Sequence, residues 1–136
     1  MSNKKVLLDT DILSYYLKKN PLVVARFDNY LLEHKQISIS RITVIEIMGG
    51  LKAKSALKQV EVFEDLISSF QILDTSKEVA QLASSIFAEL YKKGRHSGNF
   101  DVINAAIAMA NNLAICTNNE KDYENITGLE IVNWSK

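Results

Sequence analysis

Short apolar runs set between longer stretches of helical period most narrow what this chain can fold into. Residues 5–8, 36–40, 70–73, 113–117 and 130–133 each have the length and apolar content of a strand. The stretches between them read as helices: one over 12–19, one opening at Pro21 and running through Val24, Phe27 and Leu31, and one carrying Val44, Ile47, Met48 and Leu51. Further helices are expected over 56–68, 76–93 and 101–111, the last nearly apolar all round. Strands alternating with helices predict an α/β domain with a central parallel sheet of about four to five strands flanked by helices. With 136 residues, one Pro and no linker-like tract, residues 1–136 are expected to form a single domain.

Ligands of open parallel sheets bind beyond the carboxyl ends of the strands, and the isolated acids of this chain fall there. Asp9 closes the run Val6-Leu7-Leu8, while Asn118, Asn119 and Asp122 follow the run that ends at Cys116. Glu46 interrupts an otherwise apolar helix, and Asp101 opens another. A carboxylate inside or beside buried sequence is costly unless a cation meets it. Several such groups, each at the end of a different element, suit convergence on a divalent metal. The plainer alternative for Asp9, Asp11 and Asp101 is helix capping, and Asp11 lies closer to the expected helix start than Asp9 does. Glu46 could equally face solvent, and Asn118, Asn119 and Asp122 could be ordinary turn residues. Thr10, Thr43 and Thr117 could order the carboxylates by hydrogen bonding, although each could equally bond to backbone. Gly49-Gly50 weakens its helix by about 1 kcal/mol per glycine relative to alanine, which makes sense where something approaches closely or the helix bends.

Composition removes several function classes. No apolar run is long enough for a membrane span, and the N-terminal Met1-Ser2-Asn3-Lys4-Lys5 leads into too few apolar residues for a signal-peptide core. Cys116 is the only cysteine, which leaves no intrachain disulfide and no cysteine-rich zinc site; a cytoplasmic protein is expected. His34 and His96 are isolated, and no P-loop, dinucleotide fingerprint or nucleophile elbow occurs. The formal net charge is zero, so a polyanionic substrate must be held by local Lys and Arg or by bound metal.

Five segments, in order and spanning nearly the whole chain, resemble the PIN-domain family and within it the VapC-like toxins of toxin–antitoxin pairs. They are Leu7-Leu8-Asp9-Thr10-Asp11-Ile12-Leu13, Ile42-Thr43-Val44-Ile45-Glu46-Ile47-Met48-Gly49-Gly50-Leu51 and Asp101-Val102-Ile103-Asn104-Ala105-Ala106-Ile107-Ala108. The fourth is Asn112-Leu113-Ala114-Ile115-Cys116-Thr117-Asn118-Asn119 with Asp122-Tyr123, and the fifth Gly128-Leu129-Glu130-Ile131-Val132-Asn133-Trp134. Two positions depart from the family pattern. Asn119 stands where some PIN domains carry a fourth acid, with Asp122 three residues on, and Asn104 stands where many relatives have an aliphatic residue.

The resemblance implies a Mg²⁺-dependent endoribonuclease, with Mn²⁺ as a possible substitute, and with Asp9 and Asp101 as metal ligands. Glu46 would complete the acidic cluster, either through metal-bound water or as the group that orients the nucleophile. Mg²⁺ prefers oxygen and is commonly held by one or two carboxylates. Arg41, Lys52, Lys54, Arg95 and Lys121 are candidates for holding the RNA backbone. The resemblance further implies a small VapB-like antitoxin, a homodimer that assembles further with it, and contact with promoter DNA only through the antitoxin. An acidic metal site also suits a basic side chain, so the antitoxin is expected to insert an Arg or Lys against Asp9, Glu46 or Asp101, its body lying in an apolar groove alongside. The alternatives are a non-catalytic PIN-like binding module, and a DNA nuclease or phosphatase on the same scaffold.

Overall fold

The computed structural model describes residues 4–136; Met1, Ser2 and Asn3, part of the N-terminal lead considered above, lie outside the described residues. Among the described residues five strands are present: β1 (Val6–Leu8), β2 (Ser38–Ser40), β3 (Gln71–Leu73), β4 (Ala114–Cys116) and β5 (Ile131–Val132). All neighbouring strands pair in parallel, in the order β3-β2-β1-β4-β5. β1 therefore lies in the middle, with Leu7 opposite Ser38 on one side and Ile115 on the other. The chain leaves β1 in both directions across the sheet, which opens a crevice at the carboxyl ends of β1 and its neighbours.

Alternation along each strand splits the core into two faces. Leu7 and Ile115 pack with Val79, Ile86, Leu90, Val102 and Ile107 of helices α5 (Lys77–Lys92) and α6 (Asn99–Ala110). Val6, Leu8 and Cys116 pack on the other face with Ile12, Leu13, Phe27, Ile47 and Phe63. Those residues come from α1 (Thr10–Leu17), α2 (Pro21–His34), α3 (Arg41–Ala53) and α4 (Leu57–Ile67). A parallel sheet covered on both faces needs strands that are apolar at every position, which is why β1 and β4 are buried throughout.

The caps explain the helix starts. Ser40 accepts the Thr43 amide at 3.1 Å, Ser76 accepts that of Val79, and Asn20 accepts that of Val23 with Pro21 in the first turn. Two expectations about caps are corrected. α1 starts at Thr10, and Asp9 rather than Asp11 is its cap, accepting the Thr10 amide at 2.9 Å. The chain turns into the helix directly at the end of β1, leaving Asp11 inside the first turn. α6 starts at Asn99 with Gly98 at the cap position, so Asp101 does not cap it and its carboxylate is free for other partners. The segment after β4, whose polar residues read equally well as a turn, contains a one-turn helix, α7 (Glu120–Tyr123). Tyr123 anchors it by burying completely in the core.

Candidate active site

The crevice beside β1 gathers side chains from α1, α3, α6, α7 and the end of β4. Asp9 is 5% exposed and ringed by donors: Thr117 Oγ1 at 3.0 Å, the Tyr123 hydroxyl at 3.0 Å, the Thr10 amide, and Asn104 Nδ2 at 3.5 Å. Asp101 reaches the same place from the first turn of α6, where its Oδ1 lies 3.2 Å from the Tyr123 hydroxyl. Asp9 and Asp101 thus meet through one phenol. Glu46 projects from α3 toward α1, and Thr10 Oγ1 donates to its Oε1 at 2.6 Å. Thr43 is buried beneath that contact, its Oγ1 lying 3.1 Å from Thr10 Oγ1. Glu46 is exposed yet held in a fixed direction, so the solvent-facing alternative described only half of its surroundings.

Charge has accumulated here without an internal counter-charge. Burial first, then the neighbouring charges of Asp9, Asp122 and Glu46, raise the Asp101 carboxyl from an ordinary 3.8 to about 6, against the opposing hydrogen bond from Tyr123. Burial and the charge of Asp9 likewise raise Asp11, whose carboxylate accepts the amides of Ile12 and Asn118 at 2.7 and 2.9 Å. Burial between the carboxylates pushes the Tyr123 phenol upward, so it stays a donor. Among the described residues, the ion pairs lie elsewhere, as in Arg41–Asp74, Lys93–Glu89, Lys136–Glu120 and Lys4–Glu130.

A divalent cation fits this donor set. Among the described residues no three acidic, histidine or cysteine side chains already form a ligand cluster. Mg²⁺ asks for less, because it keeps several waters and is held by one or two carboxylates. Asp9 and Asp101 supply hard oxygen atoms and a surplus of negative charge. Of the two residues considered for the fourth position, Asp122 is near enough to Asp101 to raise its pKa. Asn119 stands at the cap position of α7, and its amide donates to Thr117 Oγ1.

Other expected residues are placed less centrally. Asn118 is tied to the C-terminal segment, its Oδ1 accepting from Asn133 and Ser135 and its Nδ2 donating to the Tyr15 hydroxyl. Arg41 is held by both oxygens of Asp74. Lys52, Arg95 and Lys121 are exposed, and Lys54 lines a groove that begins at Glu46. That groove, about 540 Å³ between α1, α3 and α4, has an apolar floor of Leu17, Ile47, Leu51, Val62 and Phe63 and a rim of Lys18, Lys54 and Lys58. Gly50 is part of its wall, and a Cβ there or at Gly49 would meet nothing within 4 Å. Among the described residues, no packing calls for either glycine.

Two members of the site went unassigned in the sequence. Asn104, whose role was left open, is buried and accepts from Ser40 Oγ at 2.6 Å, linking the cap of α3 to Asp9. Tyr123 was visible only as the aromatic after Asp122. Its hydroxyl acts 114 residues away on Asp9, a distance along the chain that no local pattern reveals.

The chain matches the PIN domain over residues 6–129 and belongs to the PIN-domain family. Among the relatives it resembles are VapC proteins. It is 32% identical to the tRNA(fMet)-specific endonuclease VapC of Shigella flexneri over 132 residues, covering 96% of this chain and 98% of that one. Ribonuclease VapC2 of Haemophilus influenzae is 33% identical over an equal length with the same coverage. Among solved structures, the DNA-bound VapBC complex of Salmonella typhimurium contains a chain that matches with a TM-score of 0.86 at 32% identity, over 96% of this chain and 98% of that one.

Proposed function

We propose that this protein is the ribonuclease toxin of a toxin–antitoxin pair, a VapC-type endonuclease that hydrolyses RNA with Mg²⁺. The observation that carries the reading is the placement of Asp9, Asp101 and Glu46 around one crevice at the carboxyl edge of the sheet, near enough that the charges of Asp9 and Glu46 both raise the Asp101 carboxyl, while the ion pairs among the described residues lie elsewhere. Near full-length similarity to proteins named as VapC ribonucleases supports it. Asp9 and Asp101 would hold the ion. When bound, Mg²⁺ neutralises charge developing on the phosphate and lowers the pKa of a coordinated water. Glu46, aimed by Thr10, orients the attacking water and takes up its proton. Thr117 and Tyr123 keep Asp9 turned toward the crevice. In-line attack by water leaves a 5′-phosphate and a 3′-hydroxyl, with no part for the RNA 2′-hydroxyl.

The partner follows from the same site. A VapB-like antitoxin segment would lie in the groove beside Glu46 and reach the carboxylates with an Arg, whose planar fork can bridge two of them. Contact with DNA would be delegated to the antitoxin, as befits a chain of zero net charge.

The test is cleavage of total RNA and of purified initiator tRNA, with the new ends mapped. Cleavage should require Mg²⁺ or Mn²⁺, stop with EDTA and resume when metal is restored. Ends bearing a 2′,3′-cyclic phosphate, or cutting that survives excess chelator, would sink the metal-hydrolysis mechanism. An inert protein that still binds RNA or the antitoxin would favour a non-catalytic module.

A further inference from the structure

We infer that Tyr123 is a positioning residue for the metal site: its buried hydroxyl, set between Asp9 Oδ2 and Asp101 Oδ1, ties the end of β1 to the first turn of α6 so that both carboxylates face one divalent cation. The inference rests on the metal-dependent reading above. It concerns a residue outside the acidic set, on a different element from either acid.

The geometry leaves the phenol little other use. Tyr123 is fully buried, and its ring packs in the cluster that includes Val102, Ala106 and Ile126. A phenylalanine would serve that packing equally well, so the hydroxyl needs its own explanation. It lies 3.0 Å from Asp9 and 3.2 Å from Asp101 and bridges the end of β1 to the first turn of α6. A phenol has one proton and can donate to only one carboxylate at a time. The second contact brings a negative oxygen against a lone pair, a repulsion that eases once a cation draws charge from that carboxylate. Tyr123 therefore holds the pair together while leaving part of their charge unmet. It tunes the ligands as an outer partner does, and loss of such a partner typically costs about 10-fold to 100-fold in metal affinity.

Placement on α7 gives the hydroxyl a firm support. Ser97, which is buried in the link between α5 and α6, donates to the Asp122 carbonyl at 2.8 Å. This ties the α7 turn to the segment that leads into α6, so α7 and Asp101 are fixed to one another independently of the metal. Asp9 is fixed separately by Thr117. The phenol joins two supports that are each already rigid.

The experiment is Mn²⁺ binding by isothermal titration calorimetry, without RNA, on wild type, Tyr123→Phe and Tyr30→Phe. Tyr30 provides the control because its hydroxyl accepts the Val6 amide at the opposite end of β1. Tyr123→Phe should bind Mn²⁺ about 10-fold or more weakly, with RNA cleavage largely restored by raising Mg²⁺. Tyr30→Phe should bind as wild type does. Equal or tighter binding by Tyr123→Phe, or equal weakening by Tyr30→Phe, overturns the inference while the metal reading stands. Wild type that binds no Mn²⁺ overturns both. A second measurement needs no variant: in wild-type protein labelled with ¹³C at the tyrosine Cζ, the Tyr123 resonance should move as Mg²⁺ is added. A resonance that stays fixed while Mg²⁺ binds rejects the role even if Tyr123→Phe does not fold.

Discussion

Asp9, Asp11 and Asp101 are one residue type in three different situations, and substitution by Asn should separate them. Asp101 is half-buried, and among the described residues its carboxylate accepts from Tyr123. Asp101→Asn should therefore keep the fold and lose cleavage by about 100-fold or more, the scale on which charge-stabilising groups act. Asp9→Asn should lose cleavage equally and melt earlier as well, because an amide NH₂ would face the donors that now converge on the carboxylate. Asp11→Asn should act mainly on stability, by about 1 kcal/mol, since the carboxylate ties α1 to the loop after β4 through the Asn118 amide. Glu46→Gln can still accept from Thr10, so its loss of activity would isolate the role of charge. Paired melting and cleavage measurements on the four variants test this order. If Asp11→Asn abolishes cleavage without lowering the melting temperature, Asp11 belongs to the reacting set. The raised pKa of Asp101 has a consequence for stability. The folded protein holds this proton up to about pH 6, whereas the unfolded chain releases it near the ordinary 3.8. Between those values the folded state binds more protons, so stability in EDTA should fall as pH rises through that window. Thermal melts at pH 4 and pH 7 in EDTA, then with Mn²⁺ at pH 7, should show the loss and its reversal.

The elements differ in how openly their sequences announce them. Helix α5 was legible from Ser76 to Gly94 because its cap, its apolar stripe and its left-handed glycine stop agree. The strands were recognisable as runs and came out shorter, since only part of each run pairs: 36–40 narrowed to Ser38–Ser40, and 113–117 to Ala114–Cys116. The cap of α1 was expected at Asp11 and lies at Asp9, because capping depends on where the first turn begins and a single residue decides that. The three acids were readable as exceptions within apolar sequence. The phenol that joins two of them was not, because Tyr123 reads as a core residue and is one, apart from its oxygen. In α3, Gly49→Ala should stabilise the protein by about 0.4–1 kcal/mol in urea unfolding, since its Cβ meets nothing. Gly50→Leu should be tolerated by the fold and yet impair antitoxin binding, because Gly50 lines the groove and Gly49 does not. Equal antitoxin affinity in the two variants would place the partner elsewhere.

At the scale of the whole molecule, neutral net charge conceals a sharp partition. Acids crowd the crevice, while Lys18, Lys54 and Lys58 edge the adjoining groove. An Arg from the antitoxin and a divalent ion would then compete for the same charge. Raising Mg²⁺ should weaken the complex, and Asp101→Asn combined with Glu46→Gln should weaken it further in pull-down with the neighbouring gene product. A complex indifferent to both changes would be held by the groove alone. The strand order also has a bearing on the life of the molecule during its synthesis. β1 is made first and sits at the centre, but the strand that flanks it on one side, β4, and the turn bearing Tyr123 come from the last part of the chain. A ribosome has released Asp9 and Glu46 long before Asp101 and Tyr123 emerge, so a growing chain holds only half of the site. The groove beside Glu46 is built from α1, α3 and α4, all of which are made earlier. A partner could therefore be seated in the groove before the chain is able to cut anything.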